Sequence, residues 1–497
     1  MKELIVLVDN IEDWKAYYPT EHLMLAKDYL FDLNLGSGRK RPTRVINLCK
    51  SYKYLSVGYY SSLLAESRGH RIIPSLKTLN DLSKKKLYLY DLDELQEVAK
   101  EAAERFTKKS DDLKAIAFRC YFGHSKEAVF KGLAQQIYEQ FPSPILEIKL
   151  NLKELWKIDS VTPVAFTELN EDEEEYFGKS LEVYSTKMWR LPNPRRTYIF
   201  DLAILTNPEE ELSPSDETAL QNFEKVCAEM GIYSERVTRK DLSRLNEFDG
   251  LFIRETTTIK NHTYAFSHRA QQEGLVVIDD PESILKCTNK VFMYNLMVRN
   301  NIPQLPSRFV SDSKDSALEN LEKSFDYPMI LKIPDGSFSI GVKKVLDRQQ
   351  LKDVLVEFFK KSALVLVQKF LPTDFDWRIG VLRGEALFAC KYFMSKGHWQ
   401  IYDHTKKGED FSGDSETLPL NEVPKFIIDT AIKVTGLVGN GLYGVDIKEH
   451  NGEALVVEVN DNPNIDHQIE DLVLGEELYR KLALAFIDNK VTVTHTE

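Results

Sequence analysis

The sequence is short of the features that would settle a class at a glance. Its five cysteines, Cys49, Cys120, Cys227, Cys287 and Cys390, are scattered and odd in number. No two have metal-ligand spacing, which argues against a zinc module, and free thiols in a reducing, cytoplasmic setting are expected. No apolar run approaches the length of a membrane span. There is no basic excess: the net charge is −12, which argues against a general nucleic-acid binder. The opening MKELIVLVDN carries a short apolar run ending in Asp and no small-residue cleavage site, and reads as a first strand rather than a signal peptide. Low-complexity tracts and internal repeats are not apparent. What is present is ordinary globular composition, 497 residues with 43% hydrophobic and 29% charged, enough for two to four domains.

Along the chain, LIVLVDN and TRVINLC read as strands, and YLSVGYYSSLLAESRGHRIIPS as a loop, a helix stopped by Gly69 and another strand. This is a βαβ-like start and implies an α/β domain over residues 1–190. The acidic run NEDEEEYF (170–177) reads as the solvated start of a helix, and RLPNPRR (190–196) as a linker. From TYIFDLAILTNP onward strands and helices alternate, which predicts a small parallel sheet over 197–286. The remainder, from about Cys287, is strand-rich and carries the polar constellations.

Three constellations stand out. In YPMILKIPDGSFSIGVKKV (327–345) a strand delivers Lys332 and a loop opens with Gly336, Ser337, Ser339 and Gly341. Gly and Ser let backbone N–H groups approach an anion, and the lysine adds charge, so a phosphate clamp competes with an ordinary hairpin turn. In ALVLVQKFLPTDFDWRIGVLRG (363–384) a strand ends in Gln368-Lys369-Phe370-Leu371 before Pro372, and Asp376 and Arg378 share one face of the next strand. A structural ion pair explains that Asp and Arg equally well. In LYGVDIKEHNGEALVVEVN (442–460) Asp446, Glu458 and Asn460 are oxygen donors of the type Mg²⁺ prefers, with Val445, Ile447, Val457 and Val459 at the alternate positions. Asn451-Gly452 is the usual signal for a two-residue turn. In a regular ladder that turn would oppose Asp446 to Val457 and send Glu458 to the other face. One metal site therefore predicts a three-residue loop, His450-Asn451-Gly452, with Asp446 opposite Val456. No convincing Ser/His/Asp or Cys/His set is present.

In this order the pieces resemble the ATP-grasp superfamily, and within it the RimK-like carboxylate–amine ligases, over about residues 198–490. The resemblance implies an α/β ATP-grasp fold: an additional N-terminal α/β domain (1–190), a pre-grasp parallel α/β domain (197–286), a lid subdomain (287–370) and a C-terminal α+β subdomain with the metal site (371–497). It implies that Lys290 and Lys332 contact the nucleotide phosphates and that Gly336 to Gly341, with Ser337 and Ser339, cover them. Gln368, Lys369, Phe370 and Leu371 become the adenine hinge, and Asp376 the ribose-side carboxylate. Asp446, Glu458 and Asn460 become the ligands of Mg²⁺, with Mn²⁺ as the alternative ion. Arg254 and Arg378 would face the carboxylate substrate or its acyl phosphate. The chain departs from the family pattern in HWQIYDH (398–404), where Gln400 and Tyr402 replace an Arg and an Asn; Lys391 is the candidate for the missing charge. The implied activity is ATP-dependent amide formation through an acyl phosphate, releasing ADP and phosphate. The implied partners are carboxylate and amine substrates, small or peptide, with no nucleic acid and no membrane; self-association is compatible with the sequence. A grasp-fold kinase and a non-catalytic nucleotide module are the competing readings.

Overall fold

The computed structural model describes residues 4–14, 23–32, 43–85, 88–89, 92, 95–107, 113–188, 198–210, 212–335, 341–395, 399–401 and 413–488. The linker expected at 190–196 has only residues outside that set. The chain divides into two units, Met1–Ile199 with Leu242–Glu247, and Phe200–Asp241 with Phe248–Glu497.

The first unit holds two sheets. β1 (Leu4–Val8), β2 (Leu23–Leu25), β3 (Arg44–Asn47) and β4 (Arg71–Ile73) form a parallel sheet of order β2-β1-β3-β4. β5 (Ala115–Tyr121), β6 (His124–Ser125), β7 (Ile145–Leu152) and β8 (Trp156–Pro163) form an antiparallel one of order β6-β5-β7-β8. The acidic run does start a helix, Glu171–Met188. Its first turn carries four acidic residues, which suits the positive end of the helix dipole.

The second unit opens with β9 (Phe200–Leu205), β10 (Ile232–Val237), β11 (Gly250–Ile253) and β12 (Val276–Ile278), parallel, in the order β10-β9-β11-β12. β9 and β11 are buried throughout, as strands of a parallel sheet covered on both faces should be.

This sheet repeats the first one, a relation that reading the sequence for repeats missed. In each, β3 or β11 leads to an 11-residue helix, Val57–Ser67 or His262–Gln272, then to a three-residue strand and a 7-residue helix, Leu76–Leu82 or Pro281–Cys287. The local bonds recur at one constant spacing. Ser62 Oγ donates to the Pro74 carbonyl at 2.8 Å, and Ser267 Oγ to the Asp279 carbonyl at 2.6 Å. The His70 N–H donates to the Ala65 carbonyl at 2.8 Å, and the Leu275 N–H to the Ala270 carbonyl at 2.9 Å. Gly69 (φ 68°) and Gly274 (φ 74°) end the two long helices in the left-handed conformation that glycine adopts without strain. Few residue identities accompany the repeat, because a sheet edge and a helix cap fix spacing more than side-chain type.

Two antiparallel sheets complete the unit. β13 (Ser307–Val310), β14 (Met329–Lys332), β15 (Val342–Val345) and β16 (Val365–Lys369) run β13-β16-β14-β15. β17 (Phe375–Leu382), β18 (Glu385–Phe393), β19 (Ser415–Leu418), β20 (Leu442–His450) and β21 (Glu453–Asn460) run β19-β18-β17-β20-β21. One face of the second sheet, with Ile379, Val381, Val445, Ile447, Val456 and Val459, packs on Ile427, Ala431, Val434 and Val438 of the helix Lys425–Val438. Each buried Val or Ile contributes about 1.5–3 kcal/mol, so this face sets the register and leaves the other to polar side chains.

Candidate active site

The polar face of that sheet is one wall of a pocket lined by Lys290, Lys332, Gln368, Lys369, Phe370, Leu371, Asp376, Arg378, Asp446, Glu458 and Asn460, all sequence-predicted positions. Lys448, Asp461 and Asn464 line it too and were not predicted.

The hairpin β20–β21 corrects the loop expectation. His450 pairs with Glu453, so Asn451 (φ 52°) and Gly452 (φ 78°) form the tight two-residue turn that the dipeptide rule favours. The parity problem is solved elsewhere. Ile447 faces Val456 while Asp446 faces Glu458, which leaves Val457 as an extra residue in a bulge. The bulge shifts the period by one, so Asp446, Glu458 and Asn460 lie on the pocket face while Val456 and Val459 stay in the core. A backbone bulge leaves no mark in residue type, whereas Asn-Gly does.

The carboxylates come with counter-charges. Arg378 lies directly across from Asp446 on β17 and binds it with two nitrogens, Nε to Oδ1 and Nη2 to Oδ2, the latter at 3.0 Å. Gly444 makes room, since a Cβ there would meet the Arg378 Cδ at 3.1 Å and the Pro463 Cβ at 2.7 Å. Lys290 Nζ sits 2.8 Å from Glu458 Oε1. Its helix, Lys290–Arg299, is capped by Asn289, and the Lys290 N–H is tied to the Pro334 carbonyl at 3.0 Å. Burial raises the pKa of Asp446 despite Arg378. Burial also pushes Glu458 up, but Lys290 and Lys332 outweigh it and hold that carboxyl below its ordinary range. Lys332, at the end of β14 and 7% exposed, has its pKa lowered to about 8 by burial, with the Glu458 carboxylate opposing.

The donor set suits a hard divalent cation: two carboxylates face each other on the hairpin, and the Asn460 Nδ2 lies 3.3 Å from Asp446 Oδ2. The carboxamide oxygen of Asn460 completes the set. Asp461 follows at once; burial raises its pKa to about 6, and its Oδ2 has no hydrogen-bond partner among the described residues.

Two expected site residues are elsewhere. Arg254 is completely buried. Its guanidinium donates to Ser215 Oγ (2.8 Å), Asn462 Oδ1 (2.8 Å) and the carbonyls of Pro214 and Pro463, the last at 3.0 Å. It ties the loop after β21 to the edge of the parallel sheet and does not face the pocket. Lys391 lies on the wrong face of β18: it pairs across from Trp377, lies over the Phe375 and Trp377 rings, and is 2.9 Å from Glu416. The pocket-side neighbours on that strand are Cys390, opposite Arg378, and Tyr392, whose ring is 5.3 Å from the Arg378 guanidinium carbon. Gly336, Ser337, Ser339 and Tyr402 lie outside the described residues, while Gly341 is described and its carbonyl accepts from the Ile333 N–H at 3.0 Å. Gln400 and Trp399 line the pocket.

Two lysines, the end of β16 and the paired-carboxylate hairpin thus meet at one pocket, the arrangement expected of an ATP-grasp enzyme. Comparison with known proteins agrees. Residues 26–180 match the RimK-like ATP-grasp N-terminal domain family, and residues 296–467 the D-Ala–D-Ala ligase C-terminus family. The chain is 30% identical over 203 residues to the alpha-aminoadipate–LysW ligase LysX of Sulfolobus acidocaldarius, covering 39% of this chain and 68% of that protein. It is 25% identical over 225 residues to the ribosomal protein bS6–L-glutamate ligase of Shigella flexneri, covering 45% of this chain and 72% of that one. Among solved structures, D-alanine–D-alanine ligase from Bacillus anthracis complexed with ATP aligns with a TM-score of 0.46 at 16% identity, over 59% of this chain and 97% of that one. The chain belongs to the RimK-like ATP-grasp ligases, enzymes that join a carboxylate to an amine with ATP. No described helix is long and apolar enough to cross a membrane.

Proposed function

We propose that the protein is an ATP-dependent carboxylate–amine ligase acting on an amino acid, a peptide or a protein tail, with Mg²⁺ as its ion. The observation that carries this reading is the pocket that Lys290, Lys332, Arg378, Asp446, Glu458 and Asn460 line together from a helix and two sheets. Condensing a carboxylate with an amine needs an activated acyl group. Transfer of the γ-phosphoryl group to the carboxylate gives an acyl phosphate and ADP; the amine then attacks the acyl carbon, loses a proton and expels phosphate. Such a transfer depends on positioning and charge neutralisation rather than on a protein nucleophile. Lys332 and Lys290 hold the transferring phosphates, and Lys369 to Leu371 hold the base. Arg378 stabilises the oxygens of the acyl phosphate from the floor of the pocket. Asp446, Glu458 and Asn460 would hold Mg²⁺, which supplies charge compensation when bound. The division of the second unit at 286 and 370 into pre-grasp, lid and C-terminal parts belongs to the same proposal.

The test is ATP turnover against a panel of amino acids, short peptides and polyamines, with product analysis. Expected are ADP, phosphate and an amide in equal amounts. ADP with a stable phosphoester, or no amide with any pair, overturns the reading.

A further inference from the structure

The pocket face of β17 and β20 carries two ion pairs side by side, and only one touches the proposed metal ligands. Arg378 faces Asp446. One step along both strands, Lys448 Nζ lies 2.5 Å from Asp376 Oδ1 and 2.6 Å from Thr373 Oγ1, and Thr373 Oγ1 is itself 2.9 Å from Asp376 Oδ1. The Lys448 and Asp376 side chains are each only 12% exposed. All of the bonding is thus concentrated on one carboxylate oxygen. Asp376 Oδ2 has no hydrogen-bond partner among the described residues, and the side chain lines the pocket close after the hinge Lys369-Phe370-Leu371. A carboxylate fixed through one oxygen and open at the other is a directed acceptor for hydroxyl groups. Next to a base-binding hinge, those hydroxyls belong to a ribose.

Resting on the ligase reading above, we propose that Lys448 is a positioning residue for the nucleotide sugar: with Thr373 it clamps Asp376 Oδ1, so that Oδ2 receives the ribose 2′- and 3′-hydroxyls. Lys448 touches the carboxylate and not the reacting atoms, so its effect appears in nucleotide discrimination rather than in chemistry. An ordinary cross-strand ion pair would stabilise the sheet and leave discrimination untouched.

The experiment is calorimetric binding of ATP and of 2′,3′-dideoxy-ATP, each with Mg²⁺, to the full chain and its variants. A ratio of two affinities on one sample does not depend on how much of a variant is folded. The parent should prefer ATP by about 10- to 100-fold, the effect of hydrogen bonds to a charged acceptor. Lys448→Met should bring the ratio below about threefold, as should Asp376→Asn, while Lys448→Arg keeps most of it. The preference for ATP over ITP, read at the base, should be the same in all of them. A Lys448→Met variant that keeps the parent ratio overturns the inference and leaves the ligase reading standing, as does a parent that binds both nucleotides equally. A parent that binds neither nucleotide overturns both.

Discussion

The chain leaving β11 runs Arg254-Glu255-Thr256-Thr257, and the chain leaving β3, its counterpart in the repeated sheet, runs Leu48-Cys49-Lys50-Ser51. Both begin identically: the Arg254 N–H donates to the Leu205 carbonyl at 2.8 Å, and the Leu48 N–H to the Leu7 carbonyl at 2.9 Å. They then diverge. In the second unit Arg254 turns inward to hold the loop after β21, and Thr256 and Thr257 reach the pocket. In the first unit the edge closes on itself. The Lys50 N–H donates to Asp9 Oδ2 at 2.5 Å, Lys50 Nζ pairs with Asp13 at 2.9 Å, and Ser56 Oγ donates to the Ser51 carbonyl at 2.7 Å. Gly58 lets the helix press on that loop, for a Cβ there would stand 2.5 Å from the Ser51 oxygen. Both edges lie where α/β sheets usually bind ligands, between strands whose connections run in opposite directions. The scaffold offers the position, and the side chains after the strand decide whether it becomes a site.

The sharpest break of this comparison sets Lys332→Met against Lys50→Met. The first removes the buried cation proposed to hold the phosphates and should cut kcat/KM for ATP by about 10²–10³-fold. The second, at the closed edge, should change it less than about twofold. A large loss from Lys50→Met would give the first sheet a part in the chemistry. The lowered pKa of Lys332, about 8, adds a pH signature. ATP binding favours the protonated amine, so affinity is full below that value. It should fall as pH rises through it, by up to tenfold per unit, until the pKa of the complex is passed. Lys332→Met should lose the pH dependence along with the affinity.

Next in size is Arg254→Met against Leu48→Met. Removing the guanidinium strands Ser215, Asn462 and the carbonyls of Pro214 and Pro463 in the interior, at about 3–5 kcal/mol. The volume-conserving change at Leu48 should cost less than about 1.5 kcal/mol. Denaturant midpoints measure both. An Arg254→Met chain as stable as the parent, but slow in turnover, would return this arginine to the substrate.

That case shows what the sequence could and could not disclose. The alternation in VVEVN and the apolar strands were legible because a two-residue period is a side-chain property. The donor set was legible as a pattern of residue types, whereas the roles given to Lys290, Lys332 and the hinge rest on the resemblance to the ATP-grasp family. The fate of Arg254 was not, since burial is set by a loop distant in sequence. Nor was the face of Lys391, which follows from the pairing of Trp377 with it, or the bulge at Val457, which is pure backbone. Nothing in the sequence singles out Lys448, because its partner Asp376 is on another strand.

The smallest effect tests the repeat itself. Gly69 and Gly274 have φ of 68° and 74°, and a Cβ at either would meet nothing within 4 Å. Alanine at these positions therefore creates no clash, and its cost is purely conformational. The left-handed conformation costs an L-residue about 1–2 kcal/mol, offset in part by the lower entropy of the unfolded alanine chain. Each variant should lose about 1 kcal/mol or less, and the two losses should agree within about 0.5 kcal/mol. Amide exchange of Ala65 and Ala270, read in the full chain, locates each loss in its own unit. Unequal losses at two positions with the same φ and the same empty surroundings would mean that the helices end for different reasons, and that the likeness of the two sheets stops at their strand order.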